Sequence, residues 1–457
     1  MSISARLDRL PISRYHYGIL FMLAIGIFFD GVDNFMLSGI VAALPKVGFA
    51  PADAVAHLVS FTFLGYFIGA VTSGWLSDRY GRRTMFVWNM LIFSLGSLAC
   101  AIAPNYPVLV ALRLIASIGI GGEVVAVFTY FNEVIPPQKR GTWIGVLYFT
   151  NTISLPLTSF IGMWVIPMGV DGWRWMFVIG GVPAFFTYFI RRGMPESPRW
   201  YAANGCAAEA ERMMSKIEAD IEQRSGRKLP AAASTGAPVT LEIESFGVLF
   251  NQTLLGRTLL AIVIYVAVSV VAYSFLTWLP TMLTKQGLDI SRSLGYTTIM
   301  VLGNPVGSFI AIALSDRISR KWATVVIAAL AAIAAFAYAV TSDINMLLVL
   351  GFFLAAFTSS LCAITWYTYV PEVFPTAVRA RGMGISGAFG RLATAASPYM
   401  VVAIVAGYGF PGVMMTIAGL FVLIMLVTAG LGVETKDKPL EEINEKVLAS
   451  VKPATQT

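Results

Sequence analysis

The sequence predicts an all-α membrane protein with twelve transmembrane helices in two pseudo-symmetric bundles of six. Of the 457 residues, 57% are hydrophobic and only 12% are charged, whereas a soluble domain has about 25% charged residues. Apolar stretches also recur along the chain at the length of roughly 20 residues that a helix needs to cross a bilayer. Composition and segment length therefore both predict a protein that crosses the membrane many times.

The apolar segments fall into two groups of six, separated by one long polar stretch. The first group is expected at 18–44, 58–77, 84–103, 107–131, 143–166 and 173–192. The second group is expected at 256–283, 296–314, 322–341, 346–370, 383–406 and 410–432. We therefore expect an N-terminal bundle over 1–192, a cytoplasmic linker with short helices over 193–255, a C-terminal bundle over 256–432 and a cytoplasmic tail over 433–457.

Basic residues are concentrated in alternate short loops. Arg82 and Arg83 follow the second segment, and Arg320 and Lys321 follow the eighth. The opposite loops hold little besides Lys46, Lys285 and Arg292. Because cytoplasmic loops carry the excess of Lys and Arg, the sequence predicts a multi-pass protein of the inner membrane with both termini in the cytoplasm. The net charge of +7 is explained by this anchoring, so no nucleic-acid partner is expected.

An internal repeat relates the two halves. Leu76–Arg79 (LSDR) recurs at Leu314–Arg317, and Glu133–Pro136 (EVIP) recurs as EVFP at Glu372–Pro375. The two offsets, 238 and 239 residues, are nearly equal, and each repeat falls in corresponding cytoplasmic loops. Parallel repeats of this kind are typical of transporters.

Ionisable residues inside the apolar segments are the candidate functional groups. Asp30 and Asp33 share one face of the first helix, and Glu123 lies in the fourth. Charged groups in hydrocarbon usually mark a substrate, ion or proton path, and two neighbouring carboxylates oppose joint ionisation. We expect Asp30, Asp33 or Glu123 to carry a coupling proton. The alternative is that an acid braces the bundle by bonding to a neighbouring helix.

Arg391 is expected near the middle of the eleventh segment, on a narrow stripe with Gly384 and Gly387. A guanidinium stays charged and binds a carboxylate bidentately, so Arg391 is the candidate anchor for an anionic substrate. Glu123 or a first-helix aspartate is the alternative partner. Asp33 is a second candidate substrate ligand, and a stacking pocket is expected from Tyr148 with Asn151, Tyr273, Trp278, Trp366 and Tyr369.

Charged residues of the cytoplasmic loops are expected to form a latch, a set of salt bridges that closes the inward side and breaks on opening. Its candidate members are Asp78, Arg82, Glu133, Arg140, Asp316, Arg317 and Glu372. The alternative is that these residues only set the membrane orientation.

Other chemistry has little support in the sequence. The three cysteines lack paired spacing, and the two histidines lie at predicted membrane edges, so no metal site is expected. No nucleophile, base and metal set indicates an enzyme. We expect no cofactor apart from protons as the coupling ion, and a monomer in the bilayer.

The stretch Gly74–Arg83 (GWLSDRYGRR) resembles the loop between the second and third helices of the major facilitator superfamily. Pro195–Trp200 (PESPRW) and Pro371–Pro375 (PEVFP) resemble loop motifs of the sugar porters and organic-ion carriers. The first-helix pattern, Gly26 followed by Asp30-Gly31 and Asp33, is similar to that of aromatic acid:proton symporters and nicotinate transporters. The resemblance implies the major facilitator fold.

The resemblance also implies proton-coupled uptake of a small aromatic carboxylate of the benzoate, hydroxybenzoate or nicotinate type. Sugar porters carry glutamines in the fifth and seventh helices, but Ile144–Trp164 and Leu259–Trp278 have none. The alternatives are a sugar, polyol or organic-cation porter, or a drug exporter, of the same fold. A sensor with a transporter fold would need a signalling domain, which neither the 193–255 stretch nor the tail supplies.

Overall fold

The computed structural model describes residues 3–51, 54–225, 228–230, 246–285, 287–314, 318–374 and 378–435. All regular secondary structure in these ranges is helical. Helices satisfy every backbone hydrogen bond within one segment, which the bilayer interior requires.

The first six crossings follow a short N-terminal helix, α1 (Ile3–Asp8). Five crossings are single helices, and the sixth is a pair of short helices, α7 and α8, joined at Val182. Pro183 is the first residue of α8 and has no amide hydrogen to continue α7, which explains the break in the predicted 173–192 segment. The crossings are α2 (Arg14–Ala43), α3 (Val55–Tyr80), α4 (Arg82–Ala101), α5 (Tyr106–Val134), α6 (Pro137–Val165), and α7 (Gly172–Gly181) with α8 (Pro183–Gly193).

Two helices follow α8: α9 (Pro198–Ala203) and α10 (Ala207–Ser225). The apolar side of α10 packs against α1 in a small separate core, made of Leu7, Leu10, Met214, Ile217 and Ile221. The stretch 231–245 lies outside the described residues, and a 3₁₀ turn at Phe246–Phe250 precedes the seventh crossing.

The second six crossings contain more irregular helix than the first. The eighth is interrupted at Leu302, just before Gly303, and the tenth passes through a π-helical turn at Thr365–Tyr369. The eleventh and twelfth are two helices that meet at Gly409, whose φ of +65° is not helical, and α17 denotes both. The elements are α11 (Gln252–Lys285), α12 (Ile290–Val301) with α13 (Gly303–Leu314), α14 (Arg320–Val340), α15 (Ile344–Ile364) with α16 (Val370–Val373), and α17 (Arg379–Leu431).

Twelve crossings result. Ten helical stretches are long and apolar enough to span a membrane. One of them, Arg381–Leu431, has 51 residues, enough for two passes at about 1.5 Å per residue. The short helices α7 and α8 together supply the sixth crossing. The twelve predicted segments are all present as helix, although their ends differ by a few residues and the predicted gap at 407–409 is a kink.

Close contacts divide the chain into two compact units. The first comprises Met1–Asp33, Leu64–Asn151 and Phe177–Pro238, and the second comprises Asn34–Phe63, Thr152–Met176 and Val239–Thr457. Within the second unit, parts of α2, α3 and α6 therefore group with helices of the second half. The division into sequential bundles around 193–255 remains a prediction from the sequence.

Candidate functional site

Asp33 and Arg113 form a buried ion pair in the first unit. The guanidinium of Arg113 on α5 donates to both carboxylate oxygens of Asp33 on α2, at 2.8 and 2.6 Å. Both side chains are 0% exposed, and the Tyr66 hydroxyl lies 3.5 Å from the same carboxylate as a further donor. This bidentate geometry is the strong form of an Arg–carboxylate contact. The two charges therefore offset each other inside the protein.

Asp30 and Glu123 lie near that pair without a partner. Asp30 is 2% exposed and Glu123 is 0% exposed. Within the described ranges, none of their four carboxylate oxygens has a hydrogen-bond partner. The two carboxyl groups interact electrostatically with each other, and Asp30 also interacts with Asp33. These acids are the least compensated charges of the first unit's described core.

Glycines bring the helices that carry these acids close together. A Cβ atom at Gly121 of α5 would collide with the backbone of Tyr66 on α3. A Cβ atom at Gly26 of α2 would overlap the Oε1 atom of Glu123. Small residues allow such close approach of membrane helices. Gly26, one turn before Asp30, therefore makes the space that the Glu123 carboxylate fills.

Arg391 lies in the second unit, on α17, in a tyrosine-rich environment. Gly387 has no Cβ atom. The position that a Cβ would occupy there lies 3.8 Å from the Nη1 atom of Arg391 and 3.9 Å from the Cε1 atom of Tyr265. Arg391 also interacts electrostatically with Tyr273 and Tyr367. It makes no ion pair with any acid in the part of the chain that the structure describes. Arg391 thus differs from Arg113, which has a full counter-charge.

A stacked aromatic pair flanks Arg391. The rings of Tyr265 on α11 and Trp366 in the π-helical turn are 5.9 Å apart, with an interplanar angle of 14°. The indole N–H of Trp366 is buried and has no acceptor within the described residues. Turns of π-helix occur frequently at functional sites, and here the turn places Trp366 and Tyr367 in the same cluster. The cluster therefore offers a cation, a free donor and flat apolar surfaces.

The structure brings only some of the predicted substrate residues together. Tyr273 and Trp366 belong to the Arg391 cluster, and the Tyr273 ring also lies 4.8 Å from that of Phe63. Tyr369 has other contacts. Its hydroxyl donates to the Val433 carbonyl at 3.1 Å, near Glu372 and Glu434.

Trp278, Tyr148 and Asn151 are the other predicted substrate residues. Trp278 is buried in α11 and is 5% exposed. Tyr148 is buried in α6, within the first unit. The Asn151 amide donates to the Ile27 carbonyl at 3.0 Å, beside the helix that carries Asp30.

Sequence reasoning missed four residues of these clusters. Arg113 is a charged residue inside an apolar segment, and this was a usable signal for a functional or structural role. The signal did not indicate that its partner is Asp33. Tyr265 stands eight residues before Tyr273 on α11, so helical spacing on one face was the usable signal. Tyr66 and Tyr367 had no comparable signal, because an aromatic residue in an apolar helix is ordinary.

Several predicted latch residues form one connected network in the first unit. Arg82 bonds Asp78 at 2.6 Å and Glu133 at 2.9 Å. The Ser197 hydroxyl donates to the other oxygen of Glu133. The Trp200 indole donates to the Asp78 carbonyl at 2.8 Å. The PESPRW stretch therefore contacts the network at two points: Ser197 bonds Glu133, and Trp200 bonds Asp78.

Glu196 of the same loop was not predicted to take part. Its carboxylate accepts the backbone N–H groups of Arg82 and Arg83 at 2.9 and 3.0 Å. Burial raises the pKa of Glu196, although bonds from backbone N–H groups oppose that shift. Gly81 has a φ of +98°, and a Cβ there would strike the Glu196 carboxylate, so this turn requires glycine.

In the second unit the corresponding contact joins Arg320 and Glu372 at 3.1 Å. Asp316 and Arg317 lie outside the described residues, as does the side chain of Arg140. The described residues contain no group of three or more His, Cys, Asp and Glu that could hold a metal ion.

Twelve membrane crossings with buried charges inside them define a multi-pass membrane transporter of small molecules. The chain belongs to the sugar (and other) transporter family of the major facilitator superfamily, whose family profile matches residues 21–447. Its relatives are transporters and not enzymes. The membership predicted from the loop motifs is confirmed.

Similar proteins cover almost the whole chain. The inner membrane metabolite transport protein YdjE of Escherichia coli is 32% identical over 97% of this chain and 98% of its own length. The niacin transporter NiaP of Acinetobacter baylyi is 32% identical over 97% of this chain and 100% of its own length. The inward-open structure of the xylose transporter XylE from E. coli aligns with a TM-score of 0.76 at 22% identity, covering 94% and 99% of the two chains. This structural match supports the twelve-helix fold.

Proposed function

We propose that this protein is an inner-membrane symporter that takes up a small aromatic carboxylate together with protons. The observation that carries the proposal is the Arg391 cluster. It combines a guanidinium that lacks an acidic partner among the described residues with the unused indole N–H of Trp366. Both groups seek an acceptor, and a carboxylate supplies two oxygens in the geometry that a guanidinium binds best.

The stacked rings beside Arg391 favour an aromatic substrate. A planar ring gains about 0.5–1.5 kcal/mol from an aromatic neighbour beyond its area burial. The Tyr265 ring lies beside the guanidinium and stacks on the Trp366 ring. Niacin, named as the substrate of one relative, is a pyridine ring with a carboxylate. We therefore place nicotinate and benzoates at the head of the candidate substrates.

The buried acids of the first unit supply the proton coupling. Asp30, Asp33 and Glu123 are the candidates, since a carboxyl group in the membrane can bind a proton on one side and release it on the other. Transport proceeds by alternating access, with the Asp78–Arg82–Glu133 network and the Arg320–Glu372 pair as latches of the cytoplasmic side.

The test is binding and uptake of labelled nicotinate by the purified protein in proteoliposomes. Arg391→Ala removes the cation, and Arg391→Lys keeps the charge but not the planar fork. Since a bond to a charged group contributes about 1.5–3 kcal/mol, we expect at least about tenfold weaker binding in both variants. Arg292→Lys, an exposed arginine with 72% of its side chain accessible, is the matched control. Unchanged affinity in Arg391→Ala would overturn the anchor.

A sugar or polyol is the second candidate, favoured by the three tyrosine hydroxyls around Arg391 and by the family description. Competition separates the two candidates. Inhibition of nicotinate uptake by benzoate but not by xylose supports the aromatic carboxylate. The reverse pattern supports the sugar.

A further inference from the structure

The three buried acids of the first unit are not equivalent. Asp33 has a full counter-charge in Arg113, which uses both of its terminal nitrogens on the Asp33 carboxylate. Tyr66 adds its hydroxyl to the same carboxylate. The Arg113 guanidinium is therefore already committed to Asp33.

Asp30 and Glu123 remain without compensation. Their four oxygens have no hydrogen-bond partner in the described ranges, and both residues are almost completely buried. An ionised carboxylate without a partner loses several kcal/mol of hydration in such a place, and two neighbouring ones also repel each other. Proton uptake removes this penalty, because a neutral acid is far easier to bury.

The shape of the site brings the two acids together. The Glu123 carboxylate fills the space above Gly26, which precedes Asp30 by one helical turn on the same face of α2. Two carbons of the Phe86 ring lie 3.1 Å from the same Cβ position, and Phe86 is 0% exposed. The Phe86 ring and the absence of a side chain at Gly26 thus keep Glu123 near Asp30 and away from water.

We propose that Asp30 and Glu123 form one proton-binding site, separate from the Asp33–Arg113 ion pair, and that at least one of the two is a neutral acid at neutral pH. The bound proton joins a carboxylate oxygen of the pair and converts that carboxylate into a neutral acid. Release returns the carboxylate and a free proton. Of the neighbouring charged and titratable groups, Asp33 interacts with Asp30 and bonds Arg113 and Tyr66, and the Cys100 thiol interacts with Asp33 and Arg113.

Infrared spectroscopy of the purified protein in lipid, without substrate, tests the site directly. We expect the C=O stretching band of an undissociated carboxyl group at neutral pH. The band should be lost in the Asp30→Asn/Glu123→Gln double variant. Asp171→Asn, an exposed acid with 72% of its side chain accessible, should leave the band unchanged.

Two results would overturn the proposal. One is the absence of the band in the wild type or its persistence in the double variant. The other is loss of the wild-type band when sodium is added at constant pH, because that would make the pair a metal-cation site.

The transport role of the pair rests on the proposed function and has its own readout. In proteoliposomes, Asp30→Asn should lose pH-driven accumulation of labelled nicotinate, while exchange of nicotinate across the membrane falls far less. Accumulation equal to wild type would refute the coupling role. If the wild type does not move nicotinate at all, the proposed substrate is wrong, and the infrared result still decides whether the pair holds a proton.

Discussion

At the residue scale, arginine occurs in two different electrostatic surroundings in this protein. Arg113 and Arg391 are both arginines inside membrane helices. Arg113 is completely buried and bonded to Asp33 through two short contacts. Arg391 stands among tyrosines without an ion pair in the described chain. A satisfied pair contributes to the structure of the helix bundle, whereas the proposed function assigns the charge of Arg391 to an anionic substrate.

Breaking the Asp33–Arg113 pair should destabilise the protein strongly. Asp33→Asn leaves the buried guanidinium without a counter-charge, which is expected to cost about 3–5 kcal/mol of unfolding free energy. Replacing both partners by apolar residues in Asp33→Leu/Arg113→Met should recover most of that loss. Unfolding in detergent, followed by circular dichroism, measures the difference.

The exposed pair of Asp171 and Arg174 provides the matched control for this cycle. Asp171→Asn should change stability by about 0–1 kcal/mol, since solvent screens such pairs. Equal effects of Asp33→Asn and Asp171→Asn would contradict the structural role of the buried pair.

The sequence identified the buried acids, but not the contacts that each of them makes with other helices. Spacing along one helix placed Asp30 with Asp33, since residues three apart share a face. The structure adds contacts between helices: Arg113 of α5 neutralises Asp33, and Glu123 of the same helix interacts with Asp30, which also interacts with Asp33. Such contacts join residues 80 or more positions apart, and local spacing contains no information about them.

At the element scale, α1 and α10 form a small module outside the apolar helices. Leu7 and Leu10 pack against the apolar side of α10. Arg6 bonds Glu211 and Glu218 at 2.6 and 2.5 Å. Asp8 bonds Arg199 of the PESPRW loop at 2.6 Å, which links the module to the loop that contacts the Arg82 network. A six-residue helix has little stability of its own, so docking decides whether α1 is folded.

Acid should release α1 from α10. Burial alone would raise the pKa of Glu218, but hydrogen bonds from Arg6 and Arg9 outweigh it and hold the pKa below its ordinary value. A lowered acid pKa means that the stabilisation is complete above the ordinary glutamate range and is lost as the pH falls through the folded pKa. Hydrogen exchange of the segment 3–10, corrected for the intrinsic pH dependence, should therefore accelerate at acidic pH.

Variants separate this ion-pair effect from general acid unfolding. Arg6→Ala should accelerate exchange of the same segment already at neutral pH. Arg224→Ala removes an exposed pair with Asp220 within α10, and it should have little effect. Slow exchange of the segment in Arg6→Ala would show that the apolar core alone holds α1.

At the scale of the whole molecule, the second unit joins helices that are far apart in sequence. The Thr152 hydroxyl of α6 lies 3.0 Å from that of Ser308 on α13, and both residues are buried. Ser159 of α6 donates to the Leu294 carbonyl on α12 at 3.0 Å. In a carrier that works by alternating access, contacts between first-half and second-half helices at one end must break in each cycle.

A cross-link at this contact should stop transport reversibly. Thr152→Cys/Ser308→Cys places two thiols where two hydroxyls are 3.0 Å apart, within reach of a disulfide. Oxidation should abolish uptake of labelled nicotinate, and a reductant should restore it. The native cysteines at 100, 206 and 362 are replaced first, because all three are free thiols. Each single cysteine variant serves as control, and full uptake by the cross-linked protein would show that this contact need not open.

Hydropathy was sufficient for the twelve crossings because each segment must be apolar over about the thickness of the bilayer. The irregularities within the crossings were not predictable in the same way. The break before Pro183 had a usable signal in the proline itself. The π-helical turn also precedes a proline, Pro371, which has no amide hydrogen to bond the Tyr367 carbonyl four residues before it.

That π-helical turn has an evolutionary consequence. A turn of π-helix accommodates one residue more than a turn of α-helix, so Thr365–Tyr369 can be viewed as the trace of a one-residue insertion in the tenth crossing. Deleting one residue there would rotate everything beyond it by about 100° relative to α15. Glu372 would then turn away from Arg320. Members of the family that differ in length at this turn should therefore differ in both the aromatic cluster and the salt bridge below it, and natural selection would have to change the two together.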